Sequence, residues 1–158
     1  MPRTPDTLRV RPFRLADAEV IAPWLSGPGL SVPRAGSRWP ERLLQDARIV
    51  ALVATSGRRR VGFVRLDCGP DGIAEITLVV APDQRRQGRG RGMFAAALER
   101  ARRVGMRRIV AWVALGNDAA LSFFAEVGFE SRGVHGDRLR MERLVHAGGH
   151  LPPLDVGV

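Results

Sequence analysis

A chain of 158 residues, 45% apolar and 26% charged, can bury one hydrophobic core and is short for two ordinary domains. No apolar run approaches the ~20 residues of a membrane helix, and Met1-Pro-Arg-Thr-Pro-Asp6 lacks a signal peptide's apolar stretch, so with Cys68 as the single cysteine a cytoplasmic protein without disulfides is expected. All 25 basic residues are arginine and tyrosine is absent, so the formal charge of +9 favours an anionic partner while a Schiff-base lysine, a P-loop lysine and a tyrosine acid are excluded.

Thr7–Phe13 alternates and predicts a first strand, with Leu8, Val10 and Pro12 on one face. Ala18, Ile21, Ala22 and Leu25 recur at helical spacing, which predicts a helix over Asp17–Leu25 in spite of Pro23. Gly27–Pro40 is rich in Gly, Pro and Ser and reads as a loop, with a short helix over Glu41–Asp46 after it. Loops of that length are uncommon unless they carry function. Arg48–Ser56 and Arg60–Asp67 read as a hairpin around Gly57-Arg58-Arg59, and Cys68-Gly-Pro-Asp-Gly72 as the next turn. Ile76–Ala81 is a β-branched run closed by Pro82, as in a central strand.

Met93, Phe94, Ala97, Leu98, Ala101 and Val104 then mark an amphipathic helix ending at Gly105. Arg108–Ala114 is a short strand, Asn117–Val127 a helix with Gly128 past its end, and Phe129–Arg132 and Leu139–Val145 two final strands around Gly133–Asp137. Helices inserted into a mostly antiparallel sheet make the class α+β or mixed α/β. The domain is expected to span residues 1–147, with residues 148–158 as a loose tail.

Between the central strand and its helix stands Arg85-Arg86-Gln87-Gly88-Arg89-Gly90-Arg91-Gly92. Three glycines at a helix start leave backbone N–H groups free to face an anion at the positive end of the helix. Met93 stands where a dinucleotide fingerprint needs its last glycine, and a P-loop needs the lysine this chain lacks. A solvated basic loop is the plain alternative, although glycine in a helix costs stability unless something needs it.

The pattern R-x-x-G-x-G between strand and helix resembles the pyrophosphate arm of the GNAT superfamily of N-acetyltransferases. The likeness continues 27 residues after Gly90 in Asn117-Asp-Ala-Ala120-Leu-Ser-Phe123-Phe124-Ala-Glu-Val-Gly128-Phe129, and in the opening Leu8–Ala18. It covers about residues 7–145. It implies one domain with helices on both sheet faces, strands four and five splayed, and acetyl-CoA as cosubstrate. The backbone of Arg86, Gln87, Gly88, Arg89, Gly90, Arg91 and Gly92 would hold the pyrophosphate, with charge from Arg85 and Arg91. The backbone of Leu78, Val79 and Val80 would pair with the pantetheine as an added strand.

Glu75 matches the position of a glutamate base in several members, and a carboxylate there could take the ammonium proton. A solvated strand-start glutamate is the alternative. Phe124 stands where the family's tyrosine acid falls, and phenylalanine donates no proton. Ser122 points about 200° away around the helix. Turnover without an acid is compatible with a thiol pKa of about 8.5. Asn117 is a cofactor contact or an N-cap.

Cys68 lacks a nearby histidine to activate it. His146 and His150 flank Gly148-Gly149 with no third ligand, so no metal is expected. Trp24, Trp39 and Phe123 read as core, and His135 and Asp137 as acceptor-side candidates. The expected activity is direct acetyl transfer to a primary amine of a small molecule or protein, by a monomer or homodimer. The competing readings are a non-catalytic acyl-CoA sensor, suggested by Phe124, and an acetyltransferase whose amine is borne by nucleic acid, suggested by the charge. Arginines spread over the chain rather than clustered with aromatics count against the last.

Overall fold

The computed structural model describes residues 7–26, 38–85 and 88–146, so most of the loop expected over Gly27–Pro40, Arg86, Gln87 and the tail with His150 lie outside the described residues. The strands are β1 (Leu8–Pro12), β2 (Ile49–Ser56), β3 (Arg59–Cys68), β4 (Ile73–Val80), β5 (Arg108–Ala114), β6 (Glu130–His135) and β7 (Arg138–Leu144). They form one sheet in the order β1-β2-β3-β4-β5-β7-β6, antiparallel except for β4 beside β5. The helices are α1 (Ala18–Ile21), α2 (Trp39–Gln45), α3 (Arg89–Arg103) and α4 (Asp118–Glu126). The mixed α/β class and the element order expected from sequence both hold.

The helix expected over Asp17–Leu25 is instead three short pieces, 3₁₀ turns at Leu15–Asp17 and Ala22–Ser26 flanking α1. Pro23 has no N–H to continue an α-helical ladder, and tighter turns replace it. Ile21 and Leu25 still reach the core. The second correction concerns α3, which begins at Arg89 rather than Met93. Gly90 and Gly92 therefore lie inside its first turn, and only Gly88 precedes it, left-handed at φ 72°. The last hairpin also turns more tightly than expected, at Gly136-Asp137, with Gly133 drawn into β6.

Side-chain alternation along the strands feeds two cores. Leu52, Val64, Leu66, Ile76 and Ile109 face α3 and α4, where Met93, Phe94, Ala97 and Ala101 meet them. Phe13, Val53, Phe63 and Val79 face the other way, against Ile21, Leu25 and Leu43 of the N-terminal helical segments. Gly62 lets α3 lie close on β3, since a Cβ there would stand 2.4 Å from the Met93 thioether. Both long helices end in Schellman caps. Gly105 N–H bonds Arg102 O and Met106 N–H bonds Ala101 O; Gly128 N–H bonds Ala125 O and Phe129 N–H bonds Phe124 O.

One buried ion cluster anchors the N-terminal segment. Asp17 is fully buried; it accepts a bidentate pair of 2.8 Å bonds from Arg11, a 2.6 Å bond from Arg60 Nε and a 2.8 Å bond from the Arg14 N–H. Burial opposes the charge, but the hydrogen bonds from Arg11, Arg60 and Arg14 outweigh it and hold the carboxyl far below the usual range. Asp17→Asn is expected to cost about 2–3 kcal/mol, since both arginines are partly exposed and recover some hydration. Because the folded pKa is depressed, this stabilisation is complete above the unfolded value of about 3.9 and fades as pH falls towards the folded one. Urea denaturation between pH 3 and 7 checks both points; an Asp17→Asn variant as stable as the parent at pH 7 would remove the cluster as an anchor.

Candidate active site

The parallel ladder joining β4 to β5 contains only three register pairs, Ile73↔Arg108, Ala74↔Ile109 and Glu75↔Val110. Beyond Glu75 both strands continue but no longer pair, so the sheet opens into a cleft of about 1170 Å³. The splay expected between strands four and five is present. Gly69 N–H bonds Ile73 O and Ala81 N–H bonds Val61 O, which assigns the odd-numbered main-chain groups of β4 to β3. The main chains of Leu78 and Val80 therefore face the gap, and that of Val79 faces β3. Val79 is also committed through its side chain, which is buried in the second core. Of the three residues expected to pair with a pantetheine, two have groups directed into the cleft.

Glu75 stands at the apex, where pairing stops, with an exposed side chain. Trp112 Nε1 donates to Glu75 Oε1 at 3.4 Å. Among the described residues no arginine is within ion-pair distance of this carboxylate. Trp112 itself is clamped, with the Arg140 guanidinium 5.4 Å over its ring and His135 edge-on at 5.4 Å. Sequence reasoning missed Trp112, although it alternates outward from buried Ala111 and Val113, and that parity could have placed it beside Glu75. Asp137 is in the turn at the mouth, where its carbonyl accepts from Leu115 N–H.

The loop side is less open than three glycines suggest. A Cβ at Gly90 would stand 2.8 Å from the Phe123 ring, and one at Gly92 2.5 Å from Leu8. These glycines seat α3 against α4 and β1, whereas Gly88 has open space around it. Arg85 is exposed and donates to Val80 O at 3.4 Å. Arg89 reaches Ser56 at 3.3 Å and Arg91 pairs with Glu126 of α4 at 3.1 Å, so Arg91 is tied to a neighbouring helix. The N–H groups of the first turn of α3 lack intrahelical acceptors, as at every helix start.

On the opposite wall Asn117 Oδ1 accepts the Ala120 N–H at 3.2 Å, making it the N-cap of α4 while it also borders the cleft. Ala120, Phe123 and Phe124 line the same wall, and Ser122 is exposed outside it. Phe124 is 8% exposed and packs edge-on against Phe123 and Phe129 at 5.3 and 5.0 Å. Burial, reinforced by Asp67, pushes the Cys68 thiol up, which disfavours a thiolate nucleophile. Among the described residues no three His, Cys, Asp or Glu side chains converge as metal ligands, and no helix is long and apolar enough to cross a membrane.

A mixed sheet split between two parallel strands, with a glycine-bearing helix start at the mouth, is the architecture of an N-acetyltransferase fold. The profile of the Acetyltransferase (GNAT) family matches residues 19–129, and the chain belongs to that family. A curated, uncharacterized N-acetyltransferase of Methanocaldococcus jannaschii is 35% identical over 92 residues, 54% of this chain and 41% of that protein. A mycothiol acetyltransferase of Cellulomonas flavigena is 37% identical over 73 residues, 43% of this chain and 21% of that protein. The chain thus matches less than half the length of these relatives.

Among solved structures, a spermidine N-acetyltransferase of Vibrio cholerae in complex with CoA and spermine superposes with a TM-score of 0.73 at 21% identity, covering 87% of this chain and 95% of that one. The PaiA N-acetyltransferase of Thermoplasma acidophilum in complex with coenzyme A gives 0.72 at 18%, covering 87% and 99%. At such identities the likeness is one of fold.

The packing at Gly90 carries a prediction. Alanine in place of an exposed helical glycine ordinarily gains up to ~1 kcal/mol. Gly90→Ala is instead expected to lose about 1 kcal/mol by crowding Phe123, and the loss to shrink in a Phe123→Ala background. Denaturation of the four proteins of that cycle measures it; a gain in the single variant would show that the glycine is not there for packing.

Proposed function

We propose that this chain is a cytoplasmic N-acetyltransferase that moves an acetyl group directly from acetyl-CoA to a primary amine. The observation that carries the reading is the cleft that opens immediately after Glu75, with main-chain groups of β4 that no neighbouring strand takes up along one wall and a carboxylate at its apex. Main-chain groups at Leu78 and Val80 would hold the pantetheine by strand-like pairing. The start of α3 from Gly88, with Arg86, Gln87, Arg89, Gly90, Arg91 and Gly92, would hold the pyrophosphate. Its charge complement comes from Arg85, which frees itself by giving up one long bond to Val80 O.

In the transfer, Glu75 takes a proton from the ammonium, directly or through a water, and the freed amine attacks the acetyl carbonyl carbon. A nitrogen–carbon bond forms, the carbon–sulfur bond breaks, the CoA sulfur leaves with the electron pair, and the second proton of the attacking nitrogen passes to water. The Trp112 bond orients Glu75 without neutralising it. No donor stands at Phe124, so the sulfur leaves as thiolate, which a pKa of about 8.5 allows near neutral pH.

The burial of Phe124 favours a second reading, an acyl-CoA-binding sensor without turnover. A nucleic-acid-borne amine gains nothing from the fold, because Arg11, Arg60, Arg65, Arg108 and Arg140 are engaged in internal ion pairs. Thiol release from acetyl-CoA across an amine panel separates the first two. Glu75→Gln is expected to lower kcat/KM by about 10²–10⁴-fold, the range of general-base catalysis, with CoA affinity retained by calorimetry; an unchanged rate removes Glu75 as base. Phe124→Tyr places a hydroxyl at the cleft wall and is expected to raise kcat, most clearly at low pH where thiolate departure is hardest. Thiol release by neither protein, with CoA bound by both, would favour the sensor.

A further inference from the structure

The charges that line the cleft are Arg65, Asp67, Glu75, Arg85 and Arg138. Two cancel, since Arg65 and Asp67 form a bidentate pair at 2.8 and 2.9 Å. Arg85 lies at the mouth against Val80 O. Glu75 is left as a carboxylate without an ion pair, and Arg138, half-buried, has no hydrogen-bond or ion-pair partner for its guanidinium among the described residues. Its neighbours on the same sheet face are treated otherwise. Arg140 and Arg108 are bound to buried Glu142 at 2.6 and 3.2 Å. A partly buried cation left without a partner in a cleft, beside neighbours that are paired, is available to an anion that comes from outside.

The sheet register places this guanidinium relative to Glu75. Glu75 pairs with Val110, and Val110, Trp112 and Ala114 pair with Glu142, Arg140 and Arg138. All lie on one face, so Trp112 sits between the free carboxylate and the free guanidinium. Arg140 lies over the Trp112 ring whose Nε1 reaches Glu75, and Arg138 is one pleat repeat, roughly 7 Å, further along β7. The two uncompensated charges therefore share one floor on either side of an indole.

Such a floor suits a polycation poorly. A second ammonium carried past Trp112 would meet Arg138 rather than a carboxylate. The adjoining hollow of about 400 Å³ is bordered by Glu75 as well as by Asp46, Asp67 and Asp71. Among the described residues Asp46 and Asp67 are paired with Arg48 and Arg65, whereas Asp71 accepts only the Ile73 N–H, so this hollow is where a diamine's second ammonium would go and a diamine is the comparison that tests the floor. Resting on the acetyltransferase reading, we propose that the acceptor is an amine that also carries an oxyanion, a carboxylate or phosphate, several bonds away. Glu75 receives the amine, Arg138 binds the oxyanion, and the connecting atoms lie on Trp112.

The test compares acceptors of one chain length: δ-aminovalerate, δ-aminopentanol, its phosphate monoester, and cadaverine. Thiol release from acetyl-CoA gives kcat/KM, and calorimetry of the same compounds into CoA-saturated protein gives affinity. An oxyanion-bearing amine is expected to exceed both the alcohol and the diamine by on the order of 10–100-fold, as a charge-assisted contact supplies. Comparing carboxylate with phosphate decides which oxyanion fits. Arg138→Gln is expected to bring that ratio to within about threefold of unity, and Arg138→Lys to keep part of it, with CoA affinity in both variants reporting an intact fold. Preference for cadaverine, or an unchanged ratio in Arg138→Gln, would overturn the proposal. Arg138-dependent binding of the oxyanion-bearing amines without turnover would sink the catalytic reading and leave Arg138 as an oxyanion-binding site; absence of Arg138-dependent binding would overturn the proposal.

Discussion

The three-residue ladder between β4 and β5 is the constraint on which the rest depends. It joins two half-sheets with different supports, since α3 packs across β1–β4 while α4 packs against β5. Each half has its own right-handed twist and its own cover, and only Ile73–Glu75 keeps them in register. A longer ladder would consume the main-chain groups of Leu78 and Val80 and close the cleft. Placing Glu75 at the last paired position puts a carboxylate where the backbone is still fixed and the space has just opened.

The two helices meet across that opening, and glycine decides how closely. Phe123 of α4 fills the volume a side chain at Gly90 would occupy, and the Schellman cap at Gly128 folds Phe129 back onto Phe124. The motif Phe-Phe-x-x-x-Gly-Phe thus has a physical account before any ligand is considered. It is a helix end whose aromatic residues stack at 5.0–5.3 Å and wedge α4 against the start of α3. The same wedge holds the cleft wall, so residues that read as a signature of chemistry are equally the packing that keeps the chemistry's space open.

This double use explains what the sequence could reveal. Strands were legible because their alternation is local, and β5 appears over the residues its apolar run marks. The α3 start was misplaced because glycine propensity argues against helix, and only tertiary contacts of Gly90 and Gly92 reverse that preference. Asp17–Leu25 carried a helical period that Pro23 could not sustain. Glu75 stood out through the family resemblance, and its strand, β4, lies over the β-branched run that marked it. Trp112 and Arg138 were not, because their importance lies in register with β4 and β7, and cross-strand pairing between segments far apart in sequence leaves no periodic trace. The Asp17 cluster was hidden for the same reason, as Arg60 lies 43 residues away.

Arginine economy is the remaining step. With no lysine, every cation on this chain is a planar fork that prefers a fixed oxygen partner. Several of the described ones find one internally: Arg11 and Arg60 on Asp17, Arg65 on Asp67, Arg108 and Arg140 on Glu142, Arg91 on Glu126. A formal charge of +9 is therefore a poor guide to what the surface offers a partner. The informative cations are those the fold leaves unsatisfied in a concave place. At the cleft the clearest case is Arg138, on the floor beyond Trp112, while Arg85 at the mouth holds one long bond to Val80 O. Arg85 follows the free end of β4 and Arg138 lies opposite the last residue of β5, while Glu75 stands where the two strands part, so the three charges mark three corners of the cleft.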